Sequence, residues 1–363
     1  MVQDGDSRVA EERRRGRGAV SNSSGRFEKD ARVAFDDGWG TLDEVPAPLA
    51  TTVTLDATRA IITRNTSPDI GFDRSINPYR GCEHGCIYCF ARPSHAWLGL
   101  SPGLDFESRI LAKPDAARLL AQELGRRTYV CAPIAMGTNT DPYQPVERDL
   151  GITRAILETL SAWNHPVTIV TKSALVIRDI DILADMAKRG LARVALSVTT
   201  LDRALARRME PRAATPQRRI ETIGALAAAG VPAGVMAAPM IPGLNDHELE
   251  AILEAAAGAG AREAGWILLR MPLEIKELFR EWLEEAVPDR APRVIRLVRD
   301  TRGGRDYDPT FGTRMKGTGP IAGLLGRRFR LAARRLGLDR PRVVLRTDLF
   351  APPPRAGDQL GLF

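Results

Sequence analysis

The sequence predicts an α/β chain organised as a partial (β/α)6 TIM-like barrel, with a disordered N-terminal leader before it and a basic C-terminal extension after it. Two observations carry this expectation. From about residue 76, short β-branched runs alternate with Ala/Leu/Arg-rich runs of helical period, and a strand-then-helix alternation with right-handed crossovers builds a parallel sheet. About six such units with no dinucleotide-binding glycine fingerprint favour an open barrel over a doubly wound sheet, and in a barrel the chemistry sits where the strands end. A length of 363 residues and a hydrophobic fraction of 44% suffice for one large domain with appendages.

Taken in order, residues 1–58 are rich in Gly, Ser, Arg and Asp and show no helical or strand period. They read as a mostly disordered leader, with Phe27 and Phe35 as its points of attachment to the body. The barrel is expected over 59–290. Its candidate strands are TYVCAPIAMGT (128–138), PVTIVTK (166–172), ARVALSVTT (192–200), PAGVMAAPMI (232–241) and GWILLRMP (265–272). Helical patterns separate them; Thr215 before Pro216 marks a helix start, and Gly190 and Gly230 mark helix ends. After about residue 290 the alternation stops. In the extension, 291–350, the run GPIAGLLGRRFRLAARRLGL reads as an amphipathic helix with Ile321, Leu324, Leu325, Leu331 and Leu336 near one face. Residues 351–363 form a flexible tail, a proline hinge followed by an apolar ending.

The net charge of +7 is unevenly spread: between Arg290 and Arg346 there are 16 basic residues and four acidic ones. Such a segment is either a solvated face or a surface for a polyanion, and nucleic acid, DNA in particular, is the expected partner. The first twenty residues lack the apolar core of a signal peptide, and no run approaches the roughly 18 apolar residues of a membrane span. A cytoplasmic location without a membrane partner is expected.

Three of the four cysteines, Cys82, Cys86 and Cys89, fall within eight positions of the stretch INPYRGCEHGCIYCFARPSHAWLG. They are too few and too crowded for a disulfide framework, so a metal site is the better reading. Thiolates suit zinc, copper(I) and iron–sulfur clusters. Zinc ordinarily takes four protein ligands. His95 could complete such a set, whereas His84, between Cys82 and Cys86, could not without strain; a non-catalytic zinc-binding nucleic-acid module is therefore an alternative. A four-iron cube on three cysteines instead leaves one iron open to a cofactor.

The spacing Cys82-x3-Cys86-x-Tyr88-Cys89, with its aromatic residue immediately before the third cysteine, resembles the signature of the radical S-adenosylmethionine (radical SAM) superfamily. The longer stretch SPDIGFDRSINPYRGCEHGCIYCFARPSHAWLGLSPGLDFESRI is similar to the branch related to the spore photoproduct lyases, the DNA repair photolyase-like proteins, and the likeness covers roughly residues 58–320. The resemblance implies a [4Fe–4S] cluster on Cys82, Cys86 and Cys89, SAM on the fourth iron, an electron donor, and reductive cleavage of SAM to a 5′-deoxyadenosyl radical. It further implies Tyr88 beside the adenine, Gly137, Thr138, Asn139, Thr140 and Asp141 against the SAM ammonium, Lys172 against its carboxylate, and Ser197 facing the cofactor.

Photoproduct lyases also return a hydrogen atom from a cysteine downstream of the cluster, near the end of the second strand. Cys131 has a suitable separation but begins its strand and so faces the far end of the barrel; the family's position falls at Thr138. Cys131 is expected to be a buried apolar thiol, and another hydrogen donor, or another substrate, is required. No catalytic residue is assigned. His165 and His247 are expected at surface or capping positions. The expected function is a radical SAM enzyme acting on nucleic acid, a DNA lesion lyase in the first instance; modification of RNA or protein by the same chemistry is the alternative.

The ending Asp358–Phe363 resembles the bacterial sliding-clamp-binding pentapeptide, with Gln359, Leu360, Leu362 and Phe363 in the contacting positions. A short extended peptide on a proline-rich tether can seat its terminal Leu and Phe in an apolar groove, so a DNA sliding clamp is an expected partner.

Overall fold

Along Val167–Thr171 buried side chains alternate with more exposed ones, as a strand with one face on the core requires. This strand lies in the middle of a sheet in a computed structural model that describes residues 8–28 and 47–353. Its strands are β1 (Thr52–Leu55), β2 (Ile62–Arg64), β3 (Arg74–Ile76), β4 (Tyr79–Arg80), β5 (Arg109–Ala112), β6 (Ile134–Met136), β7 (Val167–Thr171), β8 (Ala192–Ser197), β9 (Ala233–Met240) and β10 (Glu263–Leu268). The helices are α1 (Leu104–Ser108), α2 (Ala116–Leu124), α3 (Glu147–Leu150), α4 (Ile152–Ala162), α5 (Ile180–Lys188), α6 (Arg203–Met209), α7 (Pro216–Ala228), α8 (Leu249–Gly258), α9 (Ile275–Ala286), α10 (Ala291–Asp300) and α11 (Gly319–Arg335).

The main sheet has the order β10-β9-β8-β7-β6-β3-β2. Its six strands from β3 to β10 are parallel neighbours in chain order, and β2 is added antiparallel at the β3 edge. A strand order that never reverses winds the sheet one way, so this is the expected partial barrel. α5 and α7 pack on β8 and α8 packs on β9. As expected, Thr215 caps α7, its hydroxyl accepting the Arg218 N–H at 3.3 Å beside Pro216 at the first turn. Gly190 and Gly230 follow their helices with positive φ. The expected strand at 128–138 shrinks to Ile134–Met136 because Pro133, lacking an N–H, cannot join the ladder.

Two expectations need correction. Of the leader expected to be mostly disordered, residues 8–28 and 47–58 pack on the body. Arg17, Ala19, Val20 and Ser21 are buried, the Ser21 hydroxyl donates to Glu281 on α9 at 2.6 Å, and Phe27 packs on Trp97 at a tilt of 33° with ring centroids 4.5 Å apart. Composition signalled disorder because the segment is small and polar; it folds here because a narrow gap in the body admits just such residues. Phe35 and the rest of the leader lie outside the described residues. The apolar face of α11 is also not the expected one: Ala322, Leu325, Gly326, Ala332 and Ala333 are buried, whereas Leu324 and Leu331 are exposed. Small residues at helical spacing let α11 approach the sheet closely and turn those two leucines outward.

The extension completes the barrel in two places. Leu338–Ala351 runs beneath the N-terminal ends of the strands: Ala264 N–H donates to Leu338 O at 3.2 Å, Arg346 N–H to Gly190 O at 3.0 Å and Ala351 N–H to Trp163 O at 3.2 Å. Arg302–Thr318 spans the open side. It is tied to β10 by the Leu268 N–H on Met315 O at 2.9 Å and to the β2–β3 connection by Arg314 on Asp69 at 2.5 Å. Many of the basic residues are thus spent internally, Arg328 on Glu250 and Arg335 on Glu254 among them. Arg293, Arg296, Arg305, Arg327, Arg330, Arg340 and Arg342 make no ion pair among the described residues. Gln359, Leu360, Leu362 and Phe363 lie outside the described residues.

Candidate functional site

The three clustered cysteines sit in the loop that follows β3 and β4, at the C-terminal end of the parallel strands. Hydrogen bonds stitch this loop to two distant parts of the chain. Cys82 N–H donates to Phe106 O at 2.9 Å, Ile87 N–H to Met209 O at 3.0 Å, and Arg212 N–H to His84 O at 3.3 Å. Arg92, fully buried, holds the loop from within: its Nε donates to Cys86 O at 2.9 Å, and one terminal nitrogen donates to Gly85 O at 3.1 Å and to Glu107 at 2.5 Å. Gln144 accepts the Glu83 N–H at 2.8 Å and donates to Gly81 O at 3.3 Å.

The leader closes the outer side. Glu107 accepts the Gly18 and Ala19 N–H groups, each at 2.8 Å, while Arg17 donates to Glu107 O at 2.6 Å. A Cβ on Gly18 would lie 1.8 Å from the Gly85 carbonyl oxygen. Only glycine allows the two backbones to meet this closely.

Cys82 and Cys86 are buried and Cys89 is half-buried. Burial, foremost among the causes, raises the Cys82 and Cys86 thiols well above the usual range. Thiols in such a place ionise when a cationic metal centre binds them. Among the described residues no three His, Cys, Asp or Glu side chains converge on a single-ion site, whereas a cube takes each thiolate on a different iron. The donor set and its burial therefore fit an iron–sulfur cluster. His95 does not complete a fourfold set: its Nε2 faces the Arg109 carbonyl at 3.0 Å and its ring packs edge-on against Phe106.

Behind the loop lies a buried polar network. The Tyr88 hydroxyl donates to Glu210 and lies 3.0 Å from the Thr199 hydroxyl, Thr199 donates to Glu210 at 2.6 Å, and Glu210 pairs with the buried Arg219. The Lys172 ammonium stands 5.7 Å from the Tyr88 ring centroid and has no ion-pair partner among the described residues. Asp141 ties three elements together. It accepts the Thr171 hydroxyl at 2.6 Å and the Lys172 N–H at 2.8 Å, and His84 Nδ1 lies 3.4 Å from it. Burial alone would raise this carboxyl; His84, Thr171 and the Lys172 N–H outweigh burial and hold it at about 2.

Cys82, Cys86, Cys89, Tyr88, Asp141 and Lys172 therefore share one end of the barrel. The other expected cofactor residues have local duties. Gly137 is where the chain crosses β7, a Cβ there falling 1.9 Å from Val170 O. Asn77 Oδ1 clamps the next turn, accepting the Thr138 hydroxyl at 3.2 Å, Asn139 N–H at 3.0 Å and Thr140 N–H at 3.4 Å. Asn139 is exposed, and the Ser197 hydroxyl donates to Ala238 O at 3.1 Å on the neighbouring strand. Cys131 precedes β6 and is half-buried at the opposite end, burial raising its thiol to about 11. His247 is exposed as expected. His165 is not: it is fully buried, its Nε2 2.7 Å from the Tyr129 hydroxyl and its ring edge-on to Phe350.

Sequence reasoning missed Arg92, Glu107, Gln144, Glu210 and Arg219. Each is a polar residue whose partner is remote or on a turn, so nothing local separates it from a solvated one.

The comparisons agree with this geometry. A family model described as the Radical SAM superfamily matches residues 76–256. An uncharacterized protein of Mycobacterium tuberculosis is 37% identical over 230 residues, covering 63% of this chain and 68% of that protein. An uncharacterized protein of Methanocaldococcus jannaschii is 29% identical over 173 residues, covering 48% of this chain and 62% of that one. Among solved structures, a spore photoproduct lyase variant superposes with a TM-score of 0.53 at 16% identity over 79% of both chains. Another variant, solved with AdoMet and dinucleoside spore photoproduct, gives 0.52 at 16% over 78% of both. The likeness to the lyases is one of fold. With three cysteines in the required spacing at the strand ends, and a family model that spans them, the chain belongs to the radical SAM superfamily.

Proposed function

We propose that the protein is a radical SAM enzyme that acts on nucleic acid, damaged DNA being the favoured substrate. The observation that carries the reading is the convergence of Cys82, Cys86 and Cys89 with Lys172, which has no ion-pair partner among the described residues, and the anchored ring of Tyr88 at one end of the barrel. Cys82, Cys86 and Cys89 would hold a [4Fe–4S] cluster, and Lys172 would offer its ammonium to the carboxylate of SAM. When bound, the cluster and SAM supply one-electron reductive cleavage that yields a hydrogen-abstracting 5′-deoxyadenosyl radical.

The chain's own residues orient and exclude water. Glu210 fixes the hydroxyl of Tyr88 so that its ring stays beside Lys172, and Asp141 fixes the strand ends on which Lys172 stands. Arg92, Glu107 and the leader seal the outer side of the cysteine loop. The DNA reading draws on the arginines of the extension that make no ion pair among the described residues, the sliding-clamp-like ending and the fold shared with a lyase solved with a dinucleoside spore photoproduct. The test is 5′-deoxyadenosine formation by reconstituted enzyme with undamaged DNA, ultraviolet-irradiated DNA and RNA. Stimulation by irradiated DNA alone supports the proposal; stimulation by RNA alone, or by none, sinks the DNA assignment.

A further inference from the structure

The residue next to the third cysteine, Phe90, is an aromatic ring with 46% of its surface exposed at the chemical end of the barrel. A single exposed ring is ordinary on a protein surface; what sets Phe90 apart is the cation beside it. Beside it stands Arg270, two residues past the end of β10, with its guanidinium carbon 5.2 Å from the Phe90 ring centroid and 5.9 Å from that of Tyr307.

Arg270 is unusual among the arginines at this end of the barrel. It has no carboxylate partner among the described residues, its terminal nitrogens reach only the Tyr307 hydroxyl at 3.2 Å and the Met315 sulfur at 3.6 Å, and its Nε is buried without a partner. By contrast Arg92 and Arg314 each pair with a carboxylate, and Arg302, whose Nε is likewise buried without a partner, spends both terminal nitrogens on backbone carbonyls. Tyr307 and Met315 belong to the segment that bridges the open side of the barrel, so this group lies between that segment and the cysteine loop. The same segment presents a second exposed ring, Phe311, with the Arg314 guanidinium 4.6 Å from its centroid.

An exposed aromatic face next to an uncompensated guanidinium has the complement of a nucleotide: a flat ring to stack and an anion to pair. Paired bases keep both faces covered, so only an unpaired or extruded base can use it. We infer that Phe90 and Arg270 form the seat for an unpaired DNA nucleotide, the base stacking on Phe90 and the adjoining phosphate pairing with Arg270. This rests on the nucleic-acid reading above.

The experiment is fluorescence anisotropy with the reconstituted holoenzyme plus SAM, using a labelled single-stranded oligodeoxynucleotide, the same sequence as a duplex, and its RNA counterpart, across a range of salt. Wild-type protein is expected to prefer single-stranded DNA. Phe90→Ala should bind it about 5- to 150-fold more weakly, as loss of one base–aromatic stack does, and Phe90→Trp should retain binding. Arg270→Gln should lower the slope of log affinity against log salt by about 0.7, one phosphate's share on a single strand. Iron content and the electron paramagnetic resonance signal of the reduced cluster, unchanged in all three variants, certify the fold. If wild-type protein binds single-stranded DNA and Phe90→Ala binds it equally well, the seat is wrong and the nucleic-acid reading stands. If wild-type protein binds no nucleic acid, both fall, and preference for the RNA strand overturns the choice of DNA.

Discussion

The two ends of the barrel are built from opposite materials. At the C-terminal ends of the strands the side chains packed behind the cysteine loop are charged and buried: Arg92 with Glu107, Arg219 with Glu210, and Asp141 with His84. At the N-terminal ends the floor is aromatic, Phe350 packing on Tyr129, Trp163 and His165 with centroids 5.5 to 6.0 Å apart. Buried charge pairs are poor sources of stability but hold geometry, because each member has few allowed positions. Aromatic packing has a different character: it stabilises chiefly through the large apolar area each ring buries. The difference teaches that one end is arranged to position and the other to hold the fold together.

The sharpest way to break the comparison is through the thiols. Cys82→Ala, Cys86→Ala and Cys89→Ala should each abolish SAM cleavage and lower iron content, measured by iron and sulfide analysis and 5′-deoxyadenosine formation. Cys131→Ala, near the floor, should leave iron content at the wild-type level. Next in size is Gly18→Val, whose side chain must displace the Gly85 carbonyl. Loss of most of the iron with retained helical circular dichroism is expected, and wild-type iron content would refute the leader's role in housing the loop.

Glu210→Ala leaves Arg219 buried without its partner and should cost about 3–5 kcal/mol in denaturant unfolding. Phe350→Ala should cost about 2 kcal/mol, less than the roughly 3–5 of a fully enclosed phenylalanine because Phe350 is half-buried, and should leave iron content untouched. The smallest effect is a pH slope. Burial, chiefly, lowers His165 from an ordinary value near 6.5 to about 4. Between those values the unfolded chain binds a proton that the folded chain refuses, so the stability His165 contributes is complete above about 6.5 and is lost as pH falls toward about 4. His165→Gln should flatten the loss of stability over that window, and an unchanged slope would show that His165 does not titrate there.

Much of the architecture was legible before the structure. Alternating β-branched and helical runs are a local signal, and five of the six parallel strands fall where that alternation put them. The missing one, Arg74–Ile76, is too short to show a period. The cysteine spacing was legible for the same reason, since its chemistry is written within one loop. The leader was misread because disorder was judged from composition, whereas Gly18 and Ala19 are ordered by Glu107, a carboxylate 88 and 89 residues away. The face of α11 was misread because hydrophobicity was weighed above size.

Sequence by itself determined the superfamily signature, the winding of the sheet and the excess of arginine in the extension, because each depends on residue type and spacing along the chain. Only the tertiary structure decided that Asp141 spends its charge on His84 and β7, that Arg270 meets no carboxylate among the described residues, and that the leader and the extension complete the barrel's outer side, mouth and floor. Those outcomes turn on which distant groups meet when water is removed, and burial sets the value of a charge only after its neighbours are known.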